Sequence, residues 1–202
     1  AAPGLRDATL VDATQRAFAD RPAWGPSPAD PQLLVSSARI DLLLGRTETV
    51  PTPQPGLPQQ PENPAAATFM AVDRDGAAVA CAVTLNSLFG TGRVAQGTGV
   101  VLAAQPGQGG RGAAMLGPMV VVQPRGRQFV FAGAATGGVA APTSLADVAA
   151  DTLLARQPLQ DALAQPRLHG GSGEGIVYAE PAASAASLQA LADRGWNIVT
   201  VP

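Results

Sequence analysis

A short turn between two apolar runs limits the possible folds of this chain more than any other segment. The turn is Asp-Arg-Asp-Gly at residues 73–76, and the flanking runs at residues 68–72 and 79–85 are rich in residues typical of strands. An Asp-Gly pair favours a tight hairpin turn, because glycine adopts positive φ angles without steric cost. The sequence therefore predicts a β-hairpin. A glycine-rich loop at residues 89–92 and another β-like run at residues 99–104 follow it.

Three pieces of this region match motifs of a known family at the family's spacing. They are Val-Asp-Arg-Asp-Gly at residues 72–76, Thr-Leu-Asn at residues 84–86 and Phe-Gly-Thr-Gly at residues 89–92. Their order resembles the small-subunit half of the γ-glutamyltransferases, or γ-glutamyltranspeptidases, a family of N-terminal-nucleophile hydrolases. Gln-Pro-Arg-Leu-His at residues 165–169 is similar to a further motif of that family. The resemblance implies an α+β fold, here an incomplete αββα sandwich of the N-terminal-nucleophile-hydrolase type.

The resemblance also implies where the family's nucleophile falls. An ungapped count back from Asp73 places the catalytic threonine at Ala66, the second threonine at Ala67 and the histidine at Thr68. The family needs the catalytic hydroxyl to cut its own precursor and to attack the γ-glutamyl carbonyl. Alanine can do neither, so we expect a pseudoenzyme that lacks γ-glutamyltransferase and glutathione hydrolase activity. The alternative is an active enzyme for glutathione-type substrates, with Thr68 as nucleophile in a shifted register and a partner chain completing the pocket.

Some positions of this chain match the residues of the family's substrate pocket, and others do not. The acidic residue that pairs with the substrate α-amino group falls at Gln108, and two serines that bind the α-carboxylate fall at Ala114 and Met115. A charged headgroup left without ion pairs or donors is costly to desolvate. These losses argue against a small-molecule substrate and favour a structural or binding subunit whose partners are other protein subunits. The positions that still match substrate or oxyanion contacts of the family are Thr84, Asn86, Gln105, Gly137 and Gly138.

Three segments are expected along the chain. Residues 1–49 form a helical segment that resembles the end of the family's large subunit, with helices at residues 8–20 and 31–44, and most of that subunit is expected to be absent. Residues 50–65 form a proline-rich linker, which favours an extended polyproline II conformation. Residues 66–202 form the small-subunit-like αββα domain.

Apolar patterns predict the remaining elements of that domain. Runs at residues 118–122 and 128–132 flank a glycine-containing turn and indicate a second hairpin. A helix is predicted at residues 144–156 with Ser144 as its N-cap, and a further helical segment starts at Pro158. The last helix and the last strand are predicted at residues 187–194 and 197–201.

Composition argues against several classes of partner. A net charge of −2 with 14% charged residues provides no basic surface for nucleic acid or for an anionic membrane. With 46% hydrophobic but only 4% aromatic residues, the core is expected to consist of Ala, Val and Leu rather than large rings. No apolar run approaches the roughly 18 residues of a membrane span, so membrane insertion is not expected. The sequence Ala-Ala-Pro at residues 1–3 suits a signal-peptidase product, and with the resemblance it implies a periplasmic or secreted location.

Two residues with reactive side chains are interpreted as structural. Cys81 is the only cysteine, which excludes an internal disulfide and a cysteine-based zinc site. It lies in an apolar run and is expected to be a small buried hydrophobic residue. His169 stands beside two glycines, with no partner for catalysis nearby in the sequence, and we interpret it as structural. No metal or other cofactor is expected.

Overall fold

The protein is described by a computed structural model over residues 3–20, 30–45, 66–105, 116–126, 128–170 and 175–201. The chain divides into two compact units. We call Ala1–Pro58 together with Gln165–Pro202 the terminal unit, and Gln59–Ala164 the central unit. The proline-rich stretch at residues 50–65 lies outside the described residues, so the predicted segment boundaries there stay predictions.

Helices and strands are mixed along the chain, as the predicted α+β class requires. In chain order they are α1 (Pro3–Asp20), α2 (Pro31–Leu34), α3 (Ser37–Gly45), β1 (Ala66–Val72), β2 (Ala78–Thr84), β3 (Met119–Gln123), β4 (Gln128–Gly133), α4 (Ala141–Leu153), α5 (Leu159–Ala164), β5 (Leu168–Gly170), β6 (Ile176–Ala179), α6 (Ala185–Ala192) and β7 (Asn197–Thr200). A turn of 3-10 helix, Gly138–Ala140, leads directly into α4. No helix in the described ranges is long and apolar enough to cross a membrane.

The predicted first hairpin is confirmed in the central unit. β1 and β2 pair antiparallel over all seven residues of each strand. The Asp73 side chain closes the turn, because its Oδ1 accepts hydrogen bonds from the backbone N–H groups of Asp75 at 2.9 Å and Ala77 at 2.8 Å. Gly76 has a φ of 84°, the left-handed conformation that the Asp-Gly pair predicts.

The second predicted hairpin, β3 with β4, is also confirmed. A register shift between Val121 and Val122 leaves a bulge in the pairing. Gly133 ends β4 against α4, and a Cβ at this position would lie 2.5 Å from Cδ1 of Leu145. This close packing builds the core of the central unit, whose buried members are Phe131, Leu145, Val148, Ala149 and Ala162.

The terminal unit contains a three-stranded sheet in the order β5-β6-β7. β5 and β6 pair antiparallel, whereas β6 and β7 pair parallel and are joined through α6, since parallel neighbours need a crossover connection. The predicted last helix and strand are therefore confirmed within a few residues. α1 packs in this unit, and the buried core comprises Ala8, Val11, Val177, Leu191 and Trp196.

The helical boundaries of the first segment differ from the prediction. α1 begins at Pro3, earlier than the predicted residue 8, and ends at Asp20 as expected. The single helix predicted at residues 31–44 is two helices, α2 and α3. Ser36 separates them, because its hydroxyl donates to the Leu33 carbonyl at 2.9 Å and accepts from the Arg39 N–H at 3.4 Å, which caps α3.

The N-cap predicted for the longest helix of the central unit is wrong. α4 begins at Ala141, so Ser144 lies inside its first turn. The N-cap position is Ala140, which makes no side-chain capping bond. The preceding 3-10 turn is the physical reason, because it already starts the helical hydrogen-bond pattern before Ser144 is reached.

Two further expectations need correction. The run at residues 99–104 is not a strand, and it makes only an isolated antiparallel bridge between Val94 and Val101. Its backbone bonds to the glycine-rich loop instead of to a neighbouring strand. The two cores consist mainly of Ala, Val and Leu, as expected, but each also contains one large ring, Phe131 or Trp196.

Candidate active site

The predicted nucleophile position lies where the first hairpin begins. Ala66 is the first residue of β1 and pairs with Thr84, the last residue of β2. Thr68 lies two residues further along β1 and pairs with Ala82. Alternate residues of a strand share a face, so Ala66, Thr68 and Thr84 are all on one face of the hairpin. At its open end this face presents a methyl group from Ala66 and a hydroxyl group from Thr84.

Thr84 and Asn86 are tied together by local hydrogen bonds. The Asn86 backbone N–H donates to Thr84 Oγ1 at 3.0 Å, and its side-chain Nδ2 donates to the Ala104 carbonyl at 2.8 Å. Asn86 is only 9% exposed and has a φ of 60°, a conformation that asparagine tolerates better than most residues. Sequence reasoning selected both residues but missed this backbone-holding role. The signal for it was an asparagine at the point where a strand ends.

The glycine-rich loop is locked against residues 102–104. A Cβ on Gly90, whose φ is 57°, would lie 2.1 Å from the Leu102 carbonyl oxygen, so only glycine fits there. The Thr91 N–H donates to that carbonyl at 2.8 Å, and the Leu102 N–H donates to the Arg93 carbonyl at 2.8 Å. The loop motif therefore has a conformational function that does not depend on catalysis.

Gln105 is brought close to this cluster along the chain. It directly follows Ala104, which is joined to Asn86 and whose own N–H donates to the Leu85 carbonyl at 2.9 Å. The Gln105 side chain is exposed. Gln108, Ala114 and Met115, where the resemblance implies lost substrate contacts, lie outside the described residues.

Gly137 and Gly138 lie on a different segment of the central unit, between β4 and α4. Their φ angles are 133° and 66°, which side chains rarely adopt. A Cβ on Gly137 would meet no atom within 4 Å, so backbone conformation rather than close packing accounts for glycine at this position. These glycines could form an oxyanion site, as the resemblance implies, or simply a tight turn, and both roles use the same backbone. The positive φ angles account for the turn.

His169 lies in the terminal unit, on β5, and is 6% exposed. Its ring meets Phe18 edge-on with a centroid distance of 5.9 Å and stacks on Tyr178 at 6.4 Å. A buried histidine packed between two aromatic rings fits the structural interpretation made from the sequence.

Cys81 is half-buried on β2 rather than fully buried as expected, and it pairs with Phe69 across the hairpin. The reason is that β2 belongs to a two-stranded sheet with an open face. In the described part of the chain, no group of three or more His, Cys, Asp or Glu residues could hold a metal ion.

Comparisons with known proteins point to one family. A family model described as Gamma-glutamyltranspeptidase matches residues 8–202. A Thr-to-Ala mutant of the gamma-glutamyltranspeptidase from Helicobacter pylori is 21% identical, with a TM-score of 0.55 over 67% of this chain and 84% of that chain. The Pseudomonas nitroreducens gamma-glutamyltranspeptidase, solved with L-DON, is 24% identical, with a TM-score of 0.52 over 66% of this chain and 81% of that chain. These likenesses confirm the predicted fold class. No curated protein matches the chain.

Proposed function

This chain belongs to the gamma-glutamyltranspeptidase family, and from this premise we propose that it is a non-catalytic member that acts as a structural or binding subunit of a larger assembly. The observation that carries the proposal is the alanine at position 66. It occupies the first position of β1, opposite Thr84, where the family resemblance expects the nucleophilic threonine. Without that hydroxyl, neither self-cleavage nor attack on a γ-glutamyl carbonyl has a nucleophile.

Three further differences from the family, implied by the resemblance, support the same proposal. Gln108, Ala114 and Met115 replace the acid and the two serines that the resemblance assigns to the substrate headgroup. Thr84 and Asn86 remain, but they hold the backbone of the hairpin end and its loop. This combination, with the backbone-holding residues kept and the reactive and charged residues replaced, is expected of a chain that retains its structure without turnover.

The strand pairing argues against Thr68 as a replacement nucleophile. A nucleophile of this type must carry a free amino group, so the chain would have to be cut between Ala67 and Thr68. That peptide bond lies inside β1, and cutting it would detach Ala66 and Ala67 from their partners on β2. The alternative enzyme would therefore lose the first two of the seven residue pairs that join β1 to β2.

A binding role is supported by one face of the first hairpin. We call this the outer hairpin face; it consists of Ala67, Phe69, Ala71, Val79, Cys81 and Val83, which pair across the two strands. Phe69, Val79 and Val83 are 56%, 51% and 51% exposed. Neither strand contains a charged residue. Contiguous exposed apolar surface of this kind is typical of a protein interface, and the proposed partners are therefore other protein subunits.

The activity test uses γ-glutamyl anilides and glutathione as substrates. We expect no hydrolysis or transfer by the unmodified chain. The variant Ala66→Thr restores the hydroxyl but not the headgroup contacts, so it should also be inactive, because positioning is needed as well as a nucleophile. Turnover by the unmodified chain would contradict the proposal, and turnover by Ala66→Thr alone would contradict the claim that the pocket has been lost.

Intact mass spectrometry tests the Thr68 alternative directly. An active Thr68 enzyme must release a new N-terminus at this residue, whereas we expect the bond between Ala67 and Thr68 to remain uncut. The periplasmic or secreted location implied by the resemblance belongs to the same proposal, and fractionation of the native source tests it.

A further inference from the structure

We propose that α2 and α3, which we call the arm, open separately from the rest of the terminal unit and are held closed on α1 by a polar latch. The latch consists of the ion pair between Arg39 and Asp20 and of the hydrogen bonds from Arg16 to the end of α3. Breaking the latch should open the arm and leave the rest of the unit folded. The inference goes beyond the proposed function and does not depend on whether the chain is catalytic.

The arm gains little stabilisation from apolar packing. No residue of α3 is buried, and its large side chains Leu42 and Leu44 are 57% and 61% exposed. The arm contributes none of its described residues to the buried core of the terminal unit, whereas α1 contributes Ala8 and Val11. Removal of apolar surface from water is the main driving force for packing, so α1 is held far more firmly than the arm.

The first part of the latch is an ion pair at the end of α1. Asp20 is the last residue of that helix and is only 5% exposed. Its Oδ2 accepts hydrogen bonds from Arg39 Nε at 3.1 Å and from Arg39 Nη2 at 2.7 Å. A negative charge is unfavourable at the C-terminus of a helix, and a buried charge without a partner is costly. Arg39 therefore supplies a positive charge that offsets the burial of Asp20.

The second part of the latch holds the opposite end of α3. Arg16 of α1 donates from Nη1 to the carbonyl oxygens of Leu43 at 3.0 Å and Leu44 at 2.6 Å. The last carbonyl groups of a helix lack partners within the helix, and a cation beside them is favourable. The latch therefore holds α3 near its start, through Arg39, and at its end, through Arg16.

Opening of the latch is expected to unwind α3 as well as to detach it. The helix has nine residues, and isolated helices shorter than about 12 residues are marginal in water, so its contacts with α1 help to keep it helical. When Arg39 is removed, the carboxylate of Asp20 recovers its hydration if the arm opens, and this gain favours the open state. The arm should therefore open at a lower free energy than α1 does.

Amide hydrogen exchange, followed by mass spectrometry on the full chain, tests the latch. In the unmodified protein, the amides of α3 should be protected but should exchange faster than those around Ala8 and Val11 of α1, which belong to the core. Arg39→Gln and Asp20→Asn should each speed exchange in α3 by about tenfold or more, because each removes a charge-assisted pair. Exchange around Ala8 and Val11 should not change. The double variant should exchange no faster than the single variants, since both break the same contact.

Matched variants separate the latch from other effects of substitution. Arg74→Gln removes an arginine whose contact with Asp75 is largely exposed, so it should leave exchange in α3 unchanged. Leu42→Ala shortens an exposed apolar side chain of α3 and should also have little effect. Arg16→Gln should speed exchange most at the end of α3.

Three results would overturn the proposal. The first is an unprotected α3 in the unmodified protein, because the arm would then not be held closed. The second is exchange in α3 that Arg39→Gln leaves unchanged, or that Leu42→Ala speeds as strongly, because a polar latch would then not hold the arm. The third is an equal increase in α1 and α3 in the Arg39→Gln variant, because the two helices would then open together.

Discussion

Two threonine hydroxyls in the central unit differ in their hydrogen bonding. Thr84 Oγ1 accepts a hydrogen bond from the Asn86 N–H at 3.0 Å. Thr152 Oγ1, on α4, is buried and has no hydrogen-bond partner among the described residues. A buried hydroxyl without a partner has lost its bonds to water and gained none in return. The same substitution should therefore have opposite effects at the two positions.

Replacing Thr152 with valine should raise the free energy of unfolding by about 1 kcal/mol, because valine keeps the shape and removes the unsatisfied hydroxyl. The control is Thr84→Val. This substitution should lower the free energy of unfolding by about 1 kcal/mol, because the Asn86 N–H loses its acceptor. Denaturant unfolding of the two variants measures both changes. Destabilisation by Thr152→Val would show that this hydroxyl makes a stabilising bond after all.

Helix starts in this chain depend on more than the local sequence. Ser144 precedes an apolar stripe and matches the pattern of an N-cap, yet α4 has already begun at Ala141. Ser184 does cap α6, because its Oγ accepts from the Ser187 N–H at 3.1 Å. The difference lies in what comes before each helix: a 3-10 turn extends α4 backward, whereas Ser184 keeps an extended backbone.

Substitution of each serine by alanine distinguishes these two roles. Ser184→Ala should destabilise the protein by about 1 kcal/mol, because an N–H group in the first turn of α6 loses its acceptor. Ser144→Ala should change stability by less than about 0.5 kcal/mol, because alanine is a good helix former inside the first turn. Thermal unfolding detects the first change as a fall of about 2–4 °C for a chain of this size. An equal loss for both variants would mean that Ser144 also acts as a cap.

Among the described residues, the outer hairpin face is the surface on which the proposed binding role rests. Its six side chains are apolar, and the two-stranded sheet that carries them leaves this face largely exposed. Apolar surface of this kind promotes association in water unless another surface covers it. For the whole molecule, the proposed subunit role therefore predicts that the isolated chain associates with itself in solution.

The isolated chain should self-associate or aggregate at micromolar concentration in light scattering. A variant with Val79→Thr and Val83→Thr keeps the β-branched shape that strands favour and makes the face more polar, so it should shift the protein toward monomer. Val35→Thr is the control, since that valine is 71% exposed but lies outside the face. A stable, non-aggregating monomer, both when purified and in native extracts, would contradict the subunit role.

The sequence alone predicted those helices, strands and turns that are determined by residues close together in the chain. The hairpin around Asp73 was predictable because its turn is formed by its own side chain and the glycine that follows. The second hairpin and the last helix and strand were predictable from apolar periodicity and turn residues. The assignment of Ala66 to the family's nucleophile position stays a prediction, which rests on the resemblance and an ungapped count from Asp73.

Contacts between residues far apart in the sequence determined the features that the sequence did not predict. The assembly of α1 with β5, β6 and α6 joins residues about 180 positions apart, as in the bond between Asp7 and Ser187, and no local pattern encodes such a pairing. The same holds for the left-handed backbone at Asn86, which is fixed by the Ala104 carbonyl, and for the run at residues 99–104, which bonds to a loop rather than to a strand. Propensity is a property of neighbouring residues, whereas these outcomes depend on which surfaces and hydrogen-bond partners the folded chain brings together.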